Sequence, residues 1–147
     1  MSRFASDVKF SSAVTPAEGV SAATPLNGSV LDMAGWRSVC MIVTFGAITG
    51  LAVTSIKAQQ GAADDLSDAA DLADTEQTVA DDADNTTFYI DIRRPTKRYV
   101  RLVVSRGTQA ATVANALYMQ YEGRRFPVTQ PAGFSGEAFS HPDEGTA

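Results

Sequence analysis

Reactive side chains are scarce in this sequence. Its 147 residues include one cysteine, Cys40, and one histidine, His141. A single cysteine cannot form a disulfide within the chain, and we expect Cys40 to be buried in a strand. His141 precedes a proline and has no serine, cysteine or metal-ligand spacing around it, so a histidine-assisted nucleophile is not indicated.

Motifs for nucleotide, zinc and calcium sites are also missing. The chain contains no GxGxxG, no GxxxxGK[ST], no HExxH and no paired-cysteine zinc motif. Asp82 and Asp84 form a D-x-D pair, but the glycine and the terminal glutamate of an EF-hand loop are absent. We therefore predict that the protein is not an enzyme and has no catalytic, cofactor or metal site. The sequence leaves open whether the acidic segment 61–84 binds cations.

Basic residues are absent from one segment, and acidic residues are nearly absent from another. Segment 61–84 contains nine aspartates and glutamates and no lysine or arginine, whereas 93–125 contains eight of the twelve basic residues and one acid. Such a division can favour contacts between copies or with a partner, and it is also typical of two solvated faces. The arginines and tyrosines of 89–101 could form a nucleic-acid groove. Because the net charge is −5, we predict no nucleic-acid partner.

Charge is missing altogether from the nineteen residues 38–56, which separate Arg37 from Lys57. This length is sufficient for a membrane helix, so a small membrane protein spanning at 38–56 is one alternative. However, positions 39, 41, 43 and 45 are all apolar, and several residues of this stretch are β-branched. Glycines follow, and then a second run rich in β-branched residues. That pattern is typical of two strands joined at 46–50. We predict a central hairpin and no membrane partner.

Short alternating segments continue through the chain. Strands are predicted at 29–33, 76–80, 86–92, 97–105 and 111–121, with a turn at 106–108 and with Val113 and Tyr121 on one side of the last strand. Segment 61–84 is otherwise predicted to be irregular, although the spacing of its leucines and alanines at 66–73 also permits a short helix. Seven or eight short strands without a strong helix predict an all-β fold, an antiparallel β-sandwich or barrel.

The two ends of the chain are less regular. Residues 1–24 are predicted to be an extended N-terminal arm, with a plain first strand at 8–14 as the alternative. Residues 25–122 are predicted to form the β-sandwich domain. Residues 123–147, with prolines and spaced phenylalanines, are predicted to be an extended C-terminal tail.

Four motifs occur in one order along the chain: PLNGSV, GWRS, GAIT and KRYVR. In this order they resemble small virion proteins of tailed bacteriophages and prophages, over about residues 25–121. The members with which the chain shares this pattern are capsid cement, or decoration, proteins with a jelly-roll fold. The aspartate-rich loop and the tail after Tyr121 depart from the pattern of that family.

The resemblance implies a structural protein that binds the outer surface of a tailed-phage capsid after synthesis in the host cytoplasm. Its implied partners are the major capsid protein and itself, as a homodimer or a homotrimer. A neck, tail or fibre-associated module is the alternative virion role. Hairpin arginines and spaced phenylalanines are the candidate partner contacts, each with an ordinary exposed turn or tail as the alternative: Phe10, Arg93, Arg94, Arg98, Phe126, Phe134 and Phe139.

Overall fold

Residues 3–146 are described by a computed structural model, in which nearly all regular structure is β-strand. One short helix, α1 (Phe4–Asp7), precedes the strands. In chain order the strands are β1 (Lys9–Val14), β2 (Leu26–Asn27), β3 (Leu31–Asp32), β4 (Trp36–Ile48), β5 (Val53–Gly61), β6 (Ala70–Asp71), β7 (Gln77–Val79), β8 (Thr87–Arg93), β9 (Tyr99–Gly107) and β10 (Ala111–Gly123).

The strands form two antiparallel sheets that pack face to face. Sheet A has the order β1-β10-β4-β8, and sheet B has the order β2-β9-β5-β6, with β3 also paired to β9 and β7 to β5. If β2 and β3 are counted as one strand, and β6 and β7 as another, the two sheets contain eight strands. Numbered from one to eight in chain order, these strands are arranged 1-8-3-6 in sheet A and 2-7-4-5 in sheet B. This arrangement is consistent with a jelly roll. The predicted all-β antiparallel sandwich is confirmed.

The hydrophobic core lies between the inner faces of the two sheets. Successive residues of a strand face opposite sides, and the odd positions 39–45 of β4 all point inward and are fully buried. Complete burial of one such side chain contributes about 1.5–3 kcal/mol. The aliphatic residues that sheet B contributes from β5 and β9 are Ile56, Ala58, Val100, Leu102 and Val104.

A buried tyrosine connects the two sheets at a gap in sheet B. The Tyr118 hydroxyl of β10 donates to the Ser29 carbonyl (2.7 Å) and accepts the Leu102 N–H (2.9 Å), at the place along β9 where the ladder is interrupted between β2 and β3. Burial raises the pKa of Tyr118, which therefore stays a neutral donor. Gly28 is required beside it, because a Cβ there would lie 2.8 Å from the Tyr118 hydroxyl oxygen.

The prediction that 38–56 forms a hairpin is wrong, although its two strands are present. β4 continues through Gly46 to Ile48 and belongs to sheet A, whereas β5 belongs to sheet B. The chain crosses between the sheets at residues 49–52. Alternation shows which side of a strand is buried but not which strand lies beside it, so it cannot separate a hairpin from a crossover. Within residues 3–146, no helix has the length and apolar character needed to cross a membrane.

Segment 61–84 contains two short strands, and the short helix permitted at 66–73 is not present. β7 confirms the strand predicted at 76–80. The Asp68 carboxylate accepts the N–H groups of Ala62 and Ala63, and Asp65 accepts that of Ser67. Aspartates that bond the backbone locally compete with helical hydrogen bonds, which explains the turns found here.

The turn predicted at 106–108 is present but lies about two residues further along, because β9 continues through Gly107. Arg106 is buried, and its guanidinium donates to the carbonyls of Val20, Thr24 and Ala111 at 2.8–3.0 Å. Burial lowers the pKa of Arg106. The side chain thereby fixes the loop between β1 and β2 against the start of β10.

A bulge divides β10 into two parts. The pairing with β4 shifts register on both sides of Val113, whose side chain is buried. After the shift the buried residues are Ala116, Tyr118 and Gln120, so Tyr121 faces outward. The predicted common face of Val113 and Tyr121 is therefore wrong, because an extra residue in a bulge exchanges the two faces of a strand.

The described segments nearest to the two ends of the chain lie along sheet A. β1 is an edge strand paired with β10, and its residues Ala13 and Val14 are in the core. The described tail residues, 124–146, form no helix or strand. Met1, Ser2 and Ala147 of the predicted arm and tail lie outside the described residues.

Candidate protein-binding surfaces

Outward side chains of sheet A form rows across its strands. In one row Phe10 lies opposite Met119, and Met119 lies opposite Cys40; in the next, Leu117 pairs with Ile42 and Ile42 with Tyr89. Directly opposed residues share a face and contact one another. The apolar members of these rows are here named the apolar face: Phe10, Cys40, Ile42, Tyr89, Leu117 and Met119.

Polar groups border this apolar face. Tyr89 is 66% exposed, and the other five members are half-buried. At one margin the hydroxyls of Thr44 and Thr87 are hydrogen-bonded at 3.0 Å. At the other, the Tyr121 hydroxyl donates to the Asp91 carboxylate at 2.6 Å. A contiguous apolar patch with a polar rim is typical of a protein-binding surface.

An aromatic cluster from both chain ends extends the apolar face along β1. The ring of Phe10 lies 5.8 Å from that of Phe4 and 5.9 Å from that of Phe134, measured between centroids. Aromatic pairs at this separation attract each other. The predicted contacts Phe10 and Phe134 therefore belong to one surface, although 124 positions along the chain separate them.

A single glutamine holds the tail against the open edge of β1. The Gln130 side-chain carbonyl accepts the Phe10 N–H (2.9 Å), and its amide N donates to the carbonyls of Ala5 (2.8 Å) and Val8 (2.7 Å). Nearby, the Val128 N–H donates to the Ser6 carbonyl (2.8 Å). The side-chain amide thus occupies the place of a neighbouring peptide group, and it satisfies edge groups that are otherwise open.

The other two predicted phenylalanines are exposed and separate from this cluster. Phe126 is 53% exposed and Phe139 is 71% exposed. The Arg3 guanidinium donates to the Ser140 hydroxyl (2.6 Å) and to the Ala138 carbonyl (3.4 Å), so the segment around Phe139 is held near the start of the chain. Both rings remain available for a partner.

The predicted arginines gather at one end of the sandwich. The β8–β9 turn, the start of β4 and the end of β10 meet there, as shown by the Arg94 N–H bonded to the Arg37 carbonyl and the Arg124 N–H bonded to the Gly35 carbonyl. The basic side chains of these segments are here named the basic end: Arg37, Arg93, Arg94, Lys97, Arg98, Arg124 and Arg125.

Two arginines of the basic end have acidic neighbours. Arg98 makes a two-point contact with Asp32, with both N···O distances 2.9 Å, and its guanidinium lies 5.2 Å from the centre of the Tyr99 ring. The hydrogen bond from Arg98 lowers the pKa of Asp32. Arg93 lies 3.9 Å from Glu122, a long and exposed ion pair. Arg98 is thus fixed in place, whereas Arg93 is held weakly.

A groove of about 370 Å³ opens at the basic end. Trp36, Gly35 and Pro95 contribute to its lining, together with Lys97, Arg98 and Arg124. The Trp36 ring packs on Gly123, where a Cβ would lie 2.6 Å from the ring. The groove therefore combines a fixed aromatic surface with three cationic side chains.

The opposite end of the sandwich carries an exposed leucine. Leu51, in the crossover between β4 and β5, is 77% exposed and has a φ of 68°. The Asp81 carboxylate accepts its N–H (2.6 Å), and the Asp84 carboxylate accepts the N–H of Ile48 (2.9 Å). Sequence reasoning placed Leu51 at the start of a strand and missed this projection, since nothing in the sequence distinguishes an exposed leucine from a buried one.

The outward residues of β4 were missed for a different reason, and a signal for them existed. Cys40 and Ile42 alternate with the inward positions, so from residue 38 onward both sides of β4 are free of charge. A strand that is apolar on both sides in an antiparallel sandwich is unusual, because one side ordinarily faces water. The uncharged stretch 38–56 was therefore evidence for a second apolar surface.

The Cys40 thiol of the apolar face and the Tyr121 hydroxyl at its margin are held in neutral form. Burial, followed by the nearby Asp91 carboxylate, raises the pKa of the Cys40 thiol, which disfavours the nucleophilic thiolate. Burial and the hydrogen bond to Asp91 raise the pKa of Tyr121 to about 12. Among residues 3–146, no group of three or more histidine, cysteine, aspartate or glutamate side chains could hold a metal ion. The arrangement is suited to contact with another surface.

Comparison with protein families, with curated proteins and with solved structures finds no match for this chain.

Proposed function

We propose that this chain is a structural virion protein that binds the outer surface of a tailed-phage capsid and stabilises the shell as a cement, or decoration, protein. The observation that carries the proposal is the apolar face of sheet A, a preformed surface on a rigid sandwich. The resemblance of residues 25–121 to virion proteins supplies the kind of partner. The proposed partner is the major capsid protein.

The size of the apolar face sets the expected strength of one contact. Four strands at about 4.8 Å spacing, over roughly six residues at about 3.3 Å, cover on the order of 400 Å². Standard stable interfaces bury about 800 Å² on each partner. The apolar face alone is therefore expected to bind weakly, and the adjoining cluster of Phe4, Phe10 and Phe134 would enlarge the contact.

Weak contacts suit a protein that acts in many copies on a lattice. A ligand that binds the assembled shell and not its separated subunits stabilises the shell by mass action. When copies also contact one another, each bound copy raises the effective concentration of the next. Neither effect needs a chemical step, so the proposed role uses the surfaces described above and no reactive group.

The first test is where the protein lies on purified particles. We expect density for many copies distributed over the faces of the capsid in a cryo-electron map. Density confined to one vertex would instead indicate a neck or tail component, and particles without the protein on their exterior would contradict the proposal.

A second test uses a substitution on the apolar face. Tyr89→Asp places a carboxylate at its exposed margin, and desolvation of that charge in an interface is unfavourable. We expect at least a roughly tenfold weaker association with empty shells in a co-sedimentation titration. Val30→Asp is the matched control, because Val30 is also an exposed apolar residue but lies outside the apolar face. Equal binding by the two variants would show that sheet A does not contact the shell.

A further inference from the structure

The leucine tip, defined as residues 49–53 with Leu51 at its apex, presents an apolar side chain outward from a tight turn that the Ala52 N–H closes on the Thr49 carbonyl (3.0 Å). The third position of such a turn takes a positive φ. Leu51 has a φ of 68° and gains little from burial, because it is 77% exposed. The bonds from Asp81 and Asp84 to the backbone hold the tip in this shape. The side chain is thus presented rigidly to whatever lies outside.

Acidic residues surround the tip. Asp81, Asp82 and Asp84 lie in the loop between β7 and β8 that packs beside it, and Val53, next to Leu51, is a second exposed apolar residue. The local surface is therefore an apolar projection within a negative rim. A complementary partner would offer an apolar recess within a positive rim.

The basic end of the same chain has those properties. Its groove contains the Trp36 ring and Pro95, and Lys97, Arg98 and Arg124 border it. Among residues 3–146, Lys97 and Arg124 are in no salt bridge within 4.0 Å, and Arg125 beside them is also without one. Asp32, Glu122 and Asp68 offset part of the positive charge at this end, through Arg98, Arg93 and Lys97 respectively, and the remainder is not neutralised within one copy.

One copy cannot bring its own tip into its own groove. β4 begins at Trp36 in the groove and ends at Ile48 beside the tip, and twelve intervals at about 3.3 Å separate the two by roughly 40 Å. A second copy can make the contact, and its own groove then stays open for a third. Such a head-to-tail contact produces closed rings or open chains, according to the rotation between neighbours.

We propose that the protein associates with itself head to tail, with the leucine tip of one copy inserted in the Trp36 groove of the next. This contact concerns copies of the chain alone and does not depend on binding to a capsid. It can therefore be tested with the purified protein, and its failure would leave the proposed capsid role to be judged by the particle experiments.

The test measures molar mass by light scattering and analytical ultracentrifugation over a concentration series. We expect oligomers at about 0.01 M salt that dissociate at about 1 M salt, where the screening length falls from about 30 Å to about 3 Å. Leu51→Asn removes the apolar side chain but keeps a residue that tolerates positive φ. We expect it to weaken association at least roughly tenfold without lowering the thermal unfolding midpoint. Val30→Asn is the matched control and should associate like the unaltered protein.

A mixing experiment identifies the geometry. Leu51→Asn has an intact groove, whereas the double variant Lys97→Glu, Arg124→Glu has an intact tip. Each should be monomeric alone, and an equimolar mixture should form a dimer with one copy of each, which a symmetric self-contact would not produce. A monomeric unaltered protein at low salt would overturn the proposal. So would association that the charge reversals abolish but Leu51→Asn leaves unchanged, because the groove would then bind an acidic surface other than the tip.

Discussion

The outer faces of the two sheets are built from opposite kinds of residue. On sheet B the Lys57 ammonium donates to Asp71 (2.8 Å), Gln59 donates to the same carboxylate (2.7 Å), and Ser55 donates to Glu76 (3.0 Å). On sheet A the corresponding positions carry the apolar face. Both sheets bury their inner faces equally well, so the difference lies entirely in what each presents outward.

The difference indicates which surface gains from a partner. Polar groups that bond one another and water are already satisfied, and covering them removes water without adding bonds. Apolar area gains about 25 cal/mol for each Å² removed from water. Sheet A is therefore the side on which association is favourable, and sheet B is the side suited to face solvent.

The largest change in stability is expected from a substitution on the inner face of sheet A, compared with a matched substitution on its outer face. Tyr118→Phe removes the buried hydroxyl that bonds Ser29 and Leu102. Because the buried N–H of Leu102 loses its partner, and the part-buried carbonyl of Ser29 loses a donor, we expect a loss of about 1–3 kcal/mol in the free energy of unfolding. Urea titration followed by circular dichroism measures it.

Tyr89→Phe is the matched control for that substitution. Its hydroxyl lies at an exposed position of the apolar face, so we expect a change within about 0.5 kcal/mol. Comparable losses for the two variants would mean that specific polar bonds also stabilise the apolar face. The outer faces of the two sheets would then differ less in their bonding.

Alkaline titration tests sheet A further. The pKa of Tyr121 is raised to about 12, by burial first and then by Asp91. A group with a raised folded pKa contributes stability that is present below its unfolded pKa, about 10 for tyrosine, and lost as the pH rises toward 12. We expect Tyr121→Phe to reduce the loss of stability over that interval, measured by urea titration at successive pH values. An unchanged profile would contradict the assignment.

An acid titration tests sheet B, where the pKa of Asp71 is shifted in the opposite direction to that of Tyr121. Hydrogen bonds from Lys57 and then Gln59 lower the pKa of Asp71. Its carboxylate therefore stabilises the fold above the unfolded pKa, about 3.9 for aspartate, and that contribution is lost as the pH falls through the folded value. Asp71→Asn should reduce the acid dependence and leave the alkaline one as it was.

The smallest expected effect is the loss of one charged pair on sheet B. Lys57→Met removes the contact with Asp71 but keeps much of the aliphatic side chain. Exposed ion pairs contribute little to stability because water and salt screen them, so we expect little or no change in the same urea assay. A larger loss would show that the polar network of sheet B stabilises the fold more than a solvent-facing network should.

The sequence was sufficient for the strands of the core but not for their arrangement. β8 and the alternating strand at the start of segment 38–56 were predicted correctly, since clean alternation depends on residues adjacent in sequence. The crossover after Ile48 was not, because pairing depends on which distant strand completes each sheet. The face of β10 was misassigned at Val113 because a bulge leaves no consistent sequence signal.

The candidate surfaces were predicted in fragments. Phe10 and Phe134 were named as separate contacts, and they meet because Gln130 holds the tail against β1. No local pattern marks a glutamine that bonds a strand some 120 positions away. The division of charge along the chain was visible in the sequence. The arginines gather at one end of the sandwich because three segments that are distant along the chain meet there: the β8–β9 turn, the start of β4 and the end of β10.

The pairing of β1 with β10 has a consequence for how the chain is made. Lys9 lies opposite Gln120, so the first strand emerges from the ribosome well before its partner exists. At about 5–20 residues per second this interval is on the order of 5–20 s. Through that time Phe10 and both edges of β1 have no native partner, and sheet A closes only when the last strand arrives. Folding of this sandwich therefore waits for β10, with β1 as the segment most exposed to chaperones and proteases in the interval.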